Sequence, residues 1–240
     1  MGQLYVDQID PQSGTSLTIG ESGQNTVIPG NDIRTNVVQD AGGNAIFTSN
    51  GSGTLSGVNS GFGSAMSLIT STTVSSSVSQ VDFTSGMTST YKAIQFRIYY
   101  WHHSANAHSQ FQASTDAGSN WTTVLGTNSQ SRAYILTNGN GGWGYDGTVT
   151  EGSATPINLT ENTGSGSAAS ACLILTIYNH SSTTFWKHFV ARVNRQNTHG
   201  YVYDETISGH WRTTSAITGI RFKPASGTID SGKFKLFGLK

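Results

Sequence analysis

Residues 94–100 alternate between two sets: Ile94, Phe96, Ile98 and Tyr100 at the even positions, Gln95, Arg97 and Tyr99 between them. Further on, Phe185, Phe189, Ala191 and Val193 alternate with His188, Val190 and Arg192. A period of two marks a strand with one buried face. The same pattern predicts strands at 64–74, 77–84, 90–102, 108–115, 120–125, 131–137, 171–179, 184–195, 200–207, 216–223 and 228–238. Turn clusters such as NGNGG (138–142) and NTGSGS (162–167) punctuate them. No helical period intervenes. One apolar face per strand predicts two antiparallel sheets packed face to face, an all-β, jelly-roll-like β-sandwich.

Residues 1–58 break this pattern. They hold short apolar pieces (LYV, LTI, TVIP, NVV, AIF) and two aromatic residues, Tyr5 and Phe47. So few large side chains do not build a private core. The alternation in SLTIG, with Leu17 and Ile19 on one side, predicts extended chain that pairs with a partner. The expected organisation is an extended N-terminal arm or stem over 1–58 and a sandwich head over 59–240, with a Gly- and Ser-rich linker at 49–64.

Composition narrows the partners. Charged residues make up 11% of the chain, with 13 basic and 13 acidic side chains and no net charge. That leaves no electrostatic footprint for nucleic acid or an anionic membrane. No apolar run approaches the length that spans a bilayer. With 29 Gly and 4 Pro the chain is turn-rich and β-forming. The lone Cys172 excludes an intrachain disulfide framework and a cysteine-based zinc site, and within ACLILTIY it reads as a small buried hydrophobe. MGQLYVDQID has neither a basic n-region nor an apolar h-region, and Val6 stands where a myristoylation signal needs Ser or Thr. Neither a secretory leader nor a lipid anchor is expected.

Candidate chemistry concentrates in YYWHHSANAHSQF (99–111), which carries His102, His103 and His108. Strand parity points His102 to the core and turns His103 and His108 outward, so three metal ligands do not converge. STDAGSNW follows, matching the Asp-box pattern through Ser114, Asp116, Gly118 and Trp121. Its physical content is a turn, with Asp116 accepting backbone N–H groups and Gly118 supplying an unusual φ. Sialidases carry several such boxes plus an arginine triad and a nucleophilic Tyr; one copy here reads as a structural hairpin. Nucleophile-elbow, Walker and HExxH motifs are absent from the sequence. Asp204 and Glu205 are adjacent, so on a strand they face opposite ways and do not flank one glycosidic bond. Neither a catalytic residue nor a cofactor is expected. Trp101, His103, His108, Trp143 and Tyr145 are expected to form a contact surface, for a neighbouring subunit or for sugar rings.

The segments SQVDFTSGMTSTYKAIQFRI (79–98) and HWRTTSAITGIRFKPASGTIDSGKFKLFGLK (210–240), with the Asp-box hairpin, resemble structural proteins of tailed phages, particularly marine and cyanobacterial ones. The matching positions are Ala216, Ile217, Ile220 and Phe222, then Gly227, Ile229, Ser231 and Gly232, then Phe234, Leu236, Phe237 and Gly238. Phe237 stands where the pattern has Tyr. LTIGESGQNTVIPG (17–30) is similar to short β-repeats of phage fibre shafts. The resemblance implies a homotrimeric virion protein, made in a host cytoplasm, with no catalytic residues to carry over. The expected role is a capsid decoration or head-fibre protein whose arm, 1–58, holds the major capsid protein or another virion protein. The alternative is a receptor-binding tail-fibre tip that recognises host surface polysaccharide. A polysaccharide-degrading enzyme is a third possibility, which needs carboxylates converging from separate strands.

Overall fold

The computed structural model describes residues 37–40, 42–52, 55–58, 65–121, 124, 126–136, 138–146 and 156–240. The chain divides into two compact units, Met1–Phe62 and Gly63–Lys240. The expected pairing of SLTIG lies outside the described residues.

In the first unit, β1 (Val37–Gln39), β2 (Ala45–Ser49) and β3 (Leu55–Val58) form a three-stranded antiparallel sheet. Asp40 closes the β1–β2 turn, its Oδ1 accepting the Gly42 and Asn44 backbone N–H groups at 2.9 and 2.8 Å. No described side chain of this unit is buried. β3 falls inside the stretch expected to be a linker; its Gly and Ser content reads as flexible, but pairing with β2 holds it extended.

The second unit contains β4 (Met66–Val74), β5 (Val81–Phe83), β6 (Ala93–His103), β7 (Ser109–Ser114), β8 (Gly126–Ile135), β9 (Gly141–Asp146), β10 (Ile157–Asn158), β11 (Ala171–Tyr178), β12 (Lys187–Gln196), β13 (Val202–Trp211), β14 (Gly219–Pro224) and β15 (Ile229–Leu239). They build an eight-stranded sheet, β4-β15-β6-β11-β12-β13-β8-β9, and a four-stranded one, β10-β7-β14-β5. Every pairing is antiparallel. The pairs β4 with β15, β5 with β14, β6 with β11 and β7 with β10 are nested, first with last and inward. That nesting, split over two sheets, is a jelly roll. Two hairpins are inserted into it: β8–β9 follows β7 and β12–β13 follows β11, and together they lengthen the larger sheet beyond β11.

The sheets meet through aromatic rings. Phe222 of β14 packs edge-on against Phe96 at 5.0 Å and Trp101 at 6.0 Å, both on β6. Phe111 of β7 meets Phe189 of β12 at 5.1 Å and Trp211 of β13 at 5.3 Å. Edge-to-face contacts of this kind add about 1 kcal/mol each to the burial of the rings. Ile94, Phe96 and Ile98 face this core, as do Phe189, Ala191 and Val193.

Several strands differ from expectation. No strand covers 120–125 among its described residues, because the Asp-box turn carries the chain through Trp121. The following strand runs instead over the polar GTNSQSRAYI, which ten cross-strand partners on β13 hold extended. Trp143 and Tyr145 were expected in a Gly-rich loop; they sit on edge strand β9, whose glycines hide a strand from propensity. Phe185, expected in the core, precedes β12 and is exposed. Cys172 is exposed rather than buried: in ACLILTIY the odd positions Ala171, Leu173, Leu175 and Ile177 take the inner face. Its Sγ accepts the Tyr100 backbone N–H at 3.3 Å.

Candidate functional site

The three histidines of 99–111 are held apart, each by its own partner. Alternation along β6 holds through Tyr99 and then slips. Tyr100 adopts a left-handed φ of 43°. Three residues of β15, Ser231 to Lys233, oppose four of β6, Tyr99 to His102. That extra residue is a β-bulge, and one residue inverts the parity of everything beyond it. Tyr100, expected inside, is 45% exposed, while Trp101 and His103, expected in a contact surface, are both 0% exposed. Trp101 lies against Phe234 at 5.3 Å and His103 at 5.3 Å.

His103 Nε2 meets Ser109 Oγ at 3.2 Å, and burial pushes its pKa down to about 4. His102, expected inside, is half-buried, and its Nε2 donates to the Gly166 carbonyl at 3.1 Å. Nδ1 of His108 donates to the Thr160 carbonyl at 3.0 Å. A carbonyl only accepts, so these two nitrogens carry hydrogens and do not offer lone pairs to a metal. Among the described residues no three His, Cys, Asp or Glu side chains group to hold a metal ion.

The next turn is built around Ser114 and Asp116. Ser114 Oγ donates to Asp116 Oδ1 at 2.6 Å and accepts the Gly118 N–H at 3.0 Å, and Asp116 Oδ1 accepts the Asn120 N–H at 2.9 Å. These bonds, that from Ser114 foremost, hold the Asp116 carboxyl below its usual range. Gly118 takes a φ of 88°, and a Cβ there would meet Thr84 Cγ2 at 2.7 Å. Trp121 packs under Arg221, whose guanidinium carbon lies 4.3 Å from the ring centroid while two of its nitrogens donate to Asp82 at 2.8 Å.

The carboxylates of β13 have partners. Glu205 points inward to Arg195, which donates from Nη2 at 2.7 Å and from Nε at 3.1 Å. Asp204 points outward to Arg192, which donates at 2.8 and 3.1 Å and holds that carboxyl below its ordinary pKa.

The outer face of the eight-stranded sheet is the chemically distinctive surface. Directly opposed residues share a face. One row starts with Lys235 of β15, Arg97 of β6, Ile174 of β11 and Arg192 of β12. It continues through Thr206 of β13 and Ser131 of β8 to Tyr145 of β9. The adjacent row runs from Asn194 through Asp204 and Ala133 to Trp143. Trp143 is 72% and Tyr145 62% exposed. A trough of about 550 Å³ lies over Arg97, Tyr99, Ile174 and the Arg192–Asp204 pair. A smaller one of about 210 Å³ shares that pair and reaches Trp143. Arg97 lies 5.3 Å from the Phe237 ring centroid, and Lys235 Nζ 5.7 Å from that of Tyr99.

Sequence reasoning found Trp143 and Tyr145 but missed Arg97, Arg192, Asp204 and Lys235. Alternation alone turns Arg97 and Arg192 outward. That they lie in one row depends on which strands are neighbours, which alternation does not encode.

Comparison with protein families, with curated proteins and with solved structures gave no match for this chain.

Proposed function

We propose that this protein is a non-enzymatic surface protein of a tailed-phage virion, a homotrimer whose jelly-roll head is carried by its N-terminal unit. The observation that carries the reading is where the phage-like pattern falls. Ile220 and Phe222 belong to β14, and Phe234 and Leu236 to β15. These strands complete the jelly roll, and their side chains fill its core. The resemblance therefore covers the fold-defining part of the head.

The first unit supports an association role. It has a sheet with exposed Val37, Leu55 and Val58 and no buried described side chain, as expected of strands that find their core on other chains. Binding to a capsid protein is the preferred placement. The non-enzymatic reading is supported by the partners of the two carboxylates weighed for catalysis, Asp204 and Glu205, each of which is bonded to an arginine.

Two measurements test the proposal. Sedimentation of the full chain is expected to give three times the chain mass, and a monomer overturns the trimer. Antibody labelling of phage particles in electron micrographs is expected to decorate the capsid, and unlabelled particles overturn the virion assignment.

One observation favours a second reading, recognition of host surface polysaccharide. Trp143 and Tyr145 stand exposed on the same sheet face as Ser131, Thr206 and Asn194, and rings beside hydroxyl and amide groups suit the faces and edges of sugars. Labelling of the tail rather than the capsid would favour it.

A further inference from the structure

We infer that the outer face of the eight-stranded sheet is a binding track for a linear acidic polysaccharide lying across the strands. The inference rests on the polysaccharide reading and gives it a ligand class and a footprint.

Three features carry it. The first is continuity. The troughs of about 550 and 210 Å³ both have Arg192 and Asp204 in their walls, so they adjoin at that ion pair and follow one another along the sheet face. The path crosses strands that are about 4.8 Å apart, and the cross-strand row from Lys235 to Tyr145 spans seven of them. A path of this form suits an extended polymer better than a compact small molecule.

The second is charge. Among the described residues, Arg97, Lys233 and Lys235 project from β6 and β15 without an ion pair. Lys235 is opposed to Arg97, and Lys233 to Tyr99. Asp204, on β13, is already held by Arg192. The β15 end of the path therefore presents cations that no described carboxylate pairs with. Residues 63–240 hold 12 basic and 8 acidic side chains, an excess of four positive charges.

The third is the opposite end. There Trp143 and Tyr145 offer ring faces, and Ser131 and Thr206 offer hydroxyls between them and the arginines. Rings at one end and cations at the other match a polymer that presents both sugar faces and acid groups. An acidic polypeptide would use the cations without needing the rings.

The test uses the full chain and titrates polygalacturonate, neutral dextran and poly-glutamate by calorimetry. Polygalacturonate is expected to bind, with salt weakening it, while dextran and poly-glutamate bind at least about tenfold more weakly. Arg97→Gln with Lys235→Gln, and separately Trp143→Ala with Tyr145→Ala, are each expected to lower polygalacturonate affinity about tenfold, with the melting temperature unchanged. Dextran binding as tight as polygalacturonate would overturn the acidic-ligand inference and leave the polysaccharide reading standing. Poly-glutamate binding equally well, with the aromatic variant unaffected, would assign the surface to an acidic protein partner instead. Failure of both saccharides to bind would overturn the inference and the polysaccharide reading together.

Discussion

The jelly-roll strands and the inserted strands of the larger sheet bury different things. On β6 and β15 the inner face holds Ile94, Phe96, Ile98, Trp101, Phe234 and Leu236, an apolar set with ring contacts to Phe222, interrupted only at the end of β6 by His103. On β8, β12 and β13 apolar residues share the inner face with Asn128, Gln130, Lys187, Arg195 and Glu205. Four strands of the smaller sheet face eight of the larger. The added strands include polar groups in their interior, two of which loops satisfy: Lys187 Nζ donates to the carbonyls of Ser182, Phe185 and Thr213, and Arg195 Nη1 to that of Asn162. The lesson is a division of labour. The jelly roll supplies non-directional apolar stability, while the insertions are held by directed hydrogen bonds and carry Trp143, Tyr145, Arg192 and Asp204 outward.

The sharpest way to break the scaffold side is Phe222→Ala. Its ring touches five others, those of Phe83, Phe96, Trp101, Phe111 and Phe234, and removing it leaves a cavity between the sheets. A loss of about 4 kcal/mol is expected in urea unfolding, and a loss below about 1 kcal/mol would show that the rings are not the keystone.

On the insertion side, Arg195→Met strands a buried carboxylate and is expected to cost about 3 kcal/mol. Arg195→Met combined with Glu205→Leu is expected to recover most of that, since the pair's net contribution is small once desolvation is counted. If the double variant is as unstable as the single, the pair itself stabilises these strands.

His103 adds a pH dependence at the edge of the jelly roll. The folded chain keeps it neutral down to about pH 4, whereas its ordinary pKa is 6.5. Between those values the unfolded chain binds a proton that the folded one refuses. Stability therefore falls as pH drops from 6.5 to 4, by up to about 3 kcal/mol for this group, and levels off below. Urea midpoints above and within that window are expected to converge for His103→Gln relative to the wild type. An unchanged pH slope would remove His103 as the cause.

A smaller effect is expected at the turn before the first insertion. Asp116→Ala removes the acceptor of the Asn120 N–H and the partner of Ser114, and about 1 kcal/mol is expected by thermal unfolding. The smallest change belongs to the outer face. Tyr145→Ala is expected to shift stability by less than about 0.5 kcal/mol, because its side chain stands in solvent. A larger loss would mean that the ring holds the edge strand.

Much of the fold was legible in the sequence wherever burial is one-sided. Ile94 through Ile98 and Phe189 through Val193 follow alternation because each strand has one face in the core. The signal failed where geometry came from elsewhere. β9 was missed because its glycines carry no propensity, and it is a strand through pairing with β8. The inner polar residues of β12 and β13 weaken the hydrophobic pattern while being fully buried. Of the outer-face site, Trp143 and Tyr145 were visible as residue types, but their neighbours were not.

The sequence by itself determined the all-β class, most strands and the side taken wherever alternation runs unbroken, as in Ile94 to Ile98, because a period of two is a local property of the chain. Tertiary structure alone decided the nested order of the strands, the extension beyond β11 and the bulge at Tyr100. Each depends on pairing between distant segments. For that reason one extra residue in β6 buries Trp101 and His103, and for the same reason Arg97 and Arg192, 95 positions apart, stand in one row.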